Sequence, residues 1–186
     1  MSYAVTRRRF SVAEYHQMIA NAILTKEDHV ELLNGEIVEM SPISPNHAAG
    51  VKRVSKLLNR RVGEDVLIGV QDPIQLSEFS EPQPDVTLLK SRDDFYKQAH
   101  PKPDDVLLLI EVAESSAMRD RIVKSPTYAA ARIQELWIVD LQQDLIEVHA
   151  DPLNGAYQLV RQVRRGETLA PRLLPSIVLK AEDLLG

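Results

Sequence analysis

The chain of 186 residues has no cysteine. Disulfides and thiolate metal centres are therefore excluded, and any metal must be held by oxygen or imidazole donors. Also missing is any apolar run approaching the roughly 18 residues of a membrane helix, and no apolar signal core follows Arg7, Arg8 and Arg9. These absences lead us to expect a soluble, cytoplasmic protein with no membrane partner. Aromatic residues make up only 5%, and no zinc-finger, winged-helix or aromatic stacking motif is present. An excess of positive charge is lacking too. The formal net charge of -5 argues against a protein that coats nucleic acid. It still allows a nuclease, in which a local basic strip holds a backbone while an acidic centre binds divalent cations. Against these gaps stands an ordinary globular composition, 44% hydrophobic and 26% charged, with length enough for one substantial core.

Ser11 and Glu14 have the spacing of a capping box, and Val12, Tyr15 and Ile19 follow at helical spacing, which predicts a first helix. Asn34-Gly35 between two β-rich arms predicts a hairpin, since both turn residues must accept positive φ. Residues 46–62 predict an amphipathic helix, with Val51, Val54, Leu58 and Val62 on one face and Lys52, Arg53, Lys56 and Arg60 on the other. The basic face reads first as solvated and second as a phosphate-contacting strip. A strand over 66–77 should bend at Asp72-Pro73, and a second should start at Asp85. Residues 91–105 read as a polar, partly helical excursion. Val106 to Val112 is apolar without alternation, as in a strand covered on both faces. A helix is expected over 117–132, where Pro126 implies either a new helix capped by Ser125 or one kinked helix. Strands are expected from Glu135, from Asp144, over 157–163 and over 176–179. The order defines an α/β (α+β) mixed sheet with an αβββαβ core.

Asp85 and Glu111 lie in strongly apolar settings. An ionised carboxylate buried alone costs several kcal/mol, so such an acid implies a metal, a cation or a retained proton. Lys124 is the first lysine downstream of Glu111. Two acids with a lysine suit metal-assisted phosphodiester hydrolysis. The alternatives are a turn cap for Asp85, a metal-free ion pair of Glu111 with Lys124 or Arg121, and a solvated Lys124. His47 reads as a structural hydrogen-bonding group or as a proton carrier. Glu31 and Glu39, on the hairpin, read either as a further acid for the site or, more simply, as solvent-facing alternation, and Trp137 fits the core.

Seven blocks carry a family resemblance: RFSVAEY at 9–15, VELLNGEIVEMSP at 30–42, PNH at 45–47, EPQPD at 81–85, LIEVA at 109–113, DRIVK at 120–124 and LWIVD at 136–140. Together they resemble the Uma2 or DUF820 family of restriction-endonuclease-like proteins, within the PD-(D/E)xK nuclease superfamily. The resemblance implies a single restriction endonuclease-like domain over 1–186, with an N-terminal elaboration over 1–45, a nuclease-like core over 46–150 and C-terminal strands over 151–186. It further implies that Asp85, Glu111 and the Val112 carbonyl bind Mg²⁺, with Mn²⁺ as a substitute, and that Asp85, Glu111, Lys124 and His47 serve catalysis on DNA. In the superfamily pattern the lysine lies two residues after the second acid. That position is Ala113, and the resemblance implies that the lysine has moved to Lys124. The leading expectation is a metal-dependent endonuclease, working as a homodimer to reach both strands. The rival is a catalytically inactive module of the same fold that binds DNA or self-associates.

Overall fold

The computed structural model describes residues 7–25, 27–114, 118 and 120–186. Near the start, Ser11 accepts from the Glu14 amide while the Glu14 carboxylate accepts from the Ser11 amide, closing the expected capping box on α1 (Val12–Ala20). Val12 and Tyr15 are buried, but Ile19 is 48% exposed. Strands β1 (Val30–Leu33) and β2 (Glu36–Glu39) form the hairpin, with Asn34 and Gly35 both at positive φ, 52° and 82°. Helix α2 (Pro45–Asn59) starts with Ser44 accepting from the His47 amide and Pro45 at its first position. Its apolar face, Val51, Val54 and Leu58, is buried as predicted, whereas Val62 lies beyond the helix and packs against the core from outside it.

A six-stranded sheet runs β3 (Val66–Val70), β4 (Val86–Lys90), β5 (Val106–Ala113), β6 (Glu135–Asp140), β7 (Leu145–Leu153) and β8 (Ala156–Arg164) in spatial as well as chain order. Only the β5–β6 pair is parallel. That pair needs a crossover, made by a π-helical turn over Asp120–Lys124 that runs into α3 (Ser125–Ala130). A short antiparallel pair, β9 (Thr168–Leu169) and β10 (Leu179–Lys180), precedes α4 (Ala181–Leu185). The αβββαβ core is therefore α2-β3-β4-β5-α3-β6.

Several local expectations change. The strand from Val66 ends at Val70, well before Pro73. The 91–105 excursion contains one 3-10 turn, Pro103–Asp105. Residues 176–178 stay outside any strand. Ser125 does not cap a new helix: the chain already has helical dihedrals at Lys124 (φ -72°, ψ -45°). Wide π turns leave amides and carbonyls looser than an α-helix does, so the absent N–H of Pro126 is accommodated without a break. The start of the expected 117–132 helix falls partly on residues outside those described.

Both sheet faces are covered, which explains the unbroken apolar run of β5. On one face Leu108, Ile110 and Val112 pack with Val51, Val54 and Leu58 of α2 and with Leu184 and Leu185 of α4. On the other, Leu109 and Ala113 pack with Tyr128 of α3, Ile133 and Ile74. Trp137 is fully buried, as expected.

Gly50 sets how closely α2 approaches β5, since a Cβ added there would meet Val112 Cγ1 at 2.8 Å and Leu141 Cδ1 at 3.1 Å. We expect Gly50→Val to overpack this contact and lower unfolding free energy by roughly 1–3 kcal/mol in urea denaturation.

Candidate active site

Sheet register brings the two acids together. Val86 pairs with Ile110 in the antiparallel β4–β5 ladder, so the next step outward sets Asp85 opposite Glu111. Asp85 sits at the end of the strap over residues 71–85 that links β3 to β4, and is held on both oxygens. Its Oδ2 accepts from the Val112 amide at 2.8 Å, and its Oδ1 accepts from Gln71 Nε2 at 3.3 Å and lies 3.0 Å from His47 Nε2. A carboxylate only accepts, so the proton in the last contact belongs to His47 Nε2. This hydrogen bond raises the His47 pKa above the ordinary histidine value, against the opposing effect of burial.

Glu111 occupies the β5 face that looks toward α3. There Lys124 and Tyr128, four residues apart, project from one side of the helical segment. Lys124 Nζ is 3.1 Å from Glu111 Oε1, and the Tyr128 hydroxyl donates to the same oxygen at 2.6 Å. Desolvation pushes the Glu111 carboxyl up to about 8; Lys124 and Tyr128 pull it down, while the negative charges of Asp120 and Asp85 add to the rise. Burial works against the Lys124 charge as well, yet Glu111 and Glu31 outweigh it and hold the ammonium protonated well above the ordinary lysine range. The Tyr128 phenol is raised by burial and by Glu111.

Asp85, Glu111, Lys124 and His47 thus share one cavity of about 480 Å³. The structure brings together every residue singled out for the site, with the Val112 main chain reaching both Asp85 and His47. Ala113, at the usual lysine position, is buried in the apolar contact with Tyr128 instead. Lys124 is 5% exposed, which removes the reading of it as a solvated helix residue.

One expectation fails. Glu31 does not face solvent; it is 0% exposed, with Oε2 accepting from the Gln83 amide at 3.1 Å and lying 3.4 Å from Lys124 Nζ. Alternation along an isolated hairpin assumes one open face, and here the strap covers it. Glu81 bridges to Leu32, the Gly35 amide donates to the Phe79 carbonyl, and Asn34 Nδ2 reaches Thr127 Oγ1 at 2.9 Å. Glu39 is exposed, as expected. Sequence reasoning missed Tyr128, whose signal was its spacing of four from Lys124, and Gln71, which carried no signal.

Asp85 and Glu111 line the cavity with carboxylate oxygens, the donor type that Mg²⁺ and Mn²⁺ accept. The high Glu111 pKa comes first from burial and then from the negative charges of Asp120 and Asp85, and a cation at the site would oppose all of these. The basic face of α2 is partly committed elsewhere: Arg53 Nη1 donates to the Leu185 carbonyl at 2.7 Å, while Lys52, Lys56 and Arg60 are exposed.

An antiparallel meander that passes through a helix to a parallel strand, with two acids and a lysine meeting at the meander's end, defines a restriction-endonuclease-like nuclease fold. The chain belongs to the Uma2 family, described as "Putative restriction endonuclease", whose sequence model matches residues 12–182. Among solved structures it is similar to a "putative nuclease belonging to DUF820" from Anabaena variabilis, with a TM-score of 0.72 over 95% of this chain and 97% of that one, at 12% identity. No curated protein matches it in sequence.

Glu111 keeps its proton to about pH 8 in the folded chain but only to about 4.5 at its ordinary value. Folding takes up a proton between those limits, so this group's contribution to stability falls as pH rises through them. We expect the stability of wild type relative to Glu111→Gln to decline from about pH 5 to about pH 8, measured by denaturation across that range.

Proposed function

We propose that the chain is a divalent-metal-dependent endonuclease that hydrolyses DNA phosphodiester bonds, using Mg²⁺ with Mn²⁺ as a substitute. The observation that carries this reading is the convergence of Asp85, Glu111 and Lys124 in one cavity, with the acids in excess. Asp85, Glu111 and the Val112 carbonyl would hold the ion, which supplies Lewis-acid polarisation of the phosphate and lowers the pKa of water at the site. Lys124 keeps its charge at all working pH values, and that charge opposes the negative charge growing on the phosphate oxygens. Tyr128 and Glu31 orient this pair: the phenol holds Glu111 Oε1 and the carboxylate draws Lys124 Nζ. His47 spends its Nε2 proton on Asp85, so its role is to position that carboxylate. Glu111 must lose its proton to bind an ion, so apparent Mn²⁺ affinity should climb with pH and level off above about 8.

A second reading, a non-catalytic module of the same fold that binds DNA or self-associates, draws on two features. Lys124 and Tyr128 already satisfy Glu111 without an ion. Strand β8 ends the sheet with Leu159 and Val160 exposed, an edge open to pairing in a homodimer.

Cleavage of supercoiled and single-stranded DNA with Mg²⁺, Mn²⁺ or EDTA separates the readings. Catalysis predicts metal-dependent cleavage that falls by roughly 100-fold or more in Asp85→Asn, Glu111→Gln and Lys124→Ala. A folded wild type that neither cleaves nor binds Mn²⁺ would favour the module.

A further inference from the structure

Away from the acid and lysine cavity, His16, Glu81 and His100 each place one donor atom within 4.8 Å of the other two. We infer that these three side chains form a second metal site, suited to a borderline divalent ion such as Zn²⁺ or Co²⁺. Two imidazoles and a carboxylate disfavour Mg²⁺, which takes oxygen donors, and they match the three-ligand zinc sites that leave a fourth position for water.

The site is built rather than accidental. Glu81 is 4% exposed, and its Oε2 is buried with no hydrogen-bond donor among the described residues. An unmatched buried carboxylate oxygen is costly, and a cation is the group that would offset it. Glu81 Oε1 lies 2.7 Å from His16 Nε2, so one ligand pair is already in contact through a proton that an ion would replace. The rings of His16 and His100 meet edge to face with centroids 6.2 Å apart.

Tetrahedral ligand atoms about 2.0–2.1 Å from zinc stand roughly 3.4 Å from one another, so the widest pair, within 4.8 Å, closes by up to about 1.4 Å while the 2.7 Å His16–Glu81 pair opens. The side chain of His16 is 48% exposed, which leaves it room to turn. The three backbones, in contrast, are anchored. The Glu81 amide donates to the Leu32 carbonyl at 2.8 Å, the Gln75 amide to the Pro101 carbonyl beside His100 at 2.9 Å, and the Tyr15 hydroxyl beside His16 to the Val30 carbonyl at 3.0 Å. An ion here would clamp α1, the strap and the 91–105 excursion at one point. Because Glu81 lies four residues before Asp85, it would stiffen the strap that delivers the acid to the other site.

Metal-free protein titrated with Co²⁺, followed by its visible ligand-field bands, and with Zn²⁺, followed by calorimetry, tests the site. In Asp85→Asn, where the other proposed ion site is disabled, we expect one equivalent to bind with the same affinity as the histidine-dependent equivalent of wild type, and His100→Ala or His16→Ala to weaken that equivalent by more than about tenfold, beyond what losing a mere supporting contact would cost. Zn²⁺ should raise the thermal midpoint of wild type and leave that of His100→Ala unchanged. No binding by wild type, equal binding by both histidine variants, or binding lost in Asp85→Asn would each overturn the inference.

Discussion

The ammonium of Lys124, enclosed between Glu111 and Glu31, is the interaction on which the site depends. A lysine with 5% exposure stays a cation because acids surround it, Glu111 at 3.1 Å and Glu31 at 3.4 Å, with Asp120 and Asp85 adding to their effect. Each carboxylate comes from a different layer. Glu111 belongs to the central sheet, Glu31 to the N-terminal hairpin, and Lys124 to the crossover between parallel strands. Removing any one leaves the others buried with unbalanced charge, so the three layers are electrostatically interdependent as well as packed.

Reading Lys124 as a substitute for the missing lysine at Ala113 receives a physical account from the crossover. Ala113 lies in the same buried apolar cluster as Tyr128, whose hydroxyl reaches Glu111. A lysine at 113 would have to bury its charge in that cluster. The cation therefore arrives from the helix side, on a long stem, beside the phenol.

Local signals with local causes were legible in the sequence. The Ser11-Glu14 capping box, the Asn34-Gly35 turn and the buried face of α2 all depend on neighbours within a turn or two. Asp85 and Glu111 stood out because acids in apolar settings need a reason, whereas Lys124 was reached as a downstream cation and through the family resemblance. What escaped depends on contacts distant in sequence. Glu31 looked solvent-facing because nothing within the hairpin announces the strap 50 residues later, and Gln71 reaches Asp85 only through the bend after β3. Ile19 carried the right spacing but stays half exposed. Pro126 left two readings, since a π turn has no sequence rule strong enough to choose between them.

Asn34, at the tip of the hairpin, does more than make a tight turn. Its side-chain amide reaches Thr127 on α3, tying the first strands of the chain to the helix that carries Tyr128. By topology the N-terminal helix and hairpin are an appendage to the nuclease-like sheet; by contact they form one wall of its charged chamber. A shorter chain beginning at α2 would keep the sheet but admit water to the Lys124 ammonium from the Glu31 side. The low-dielectric enclosure that sets the proton affinities of Glu111 and Lys124 is thus a joint product of the core and its appendage.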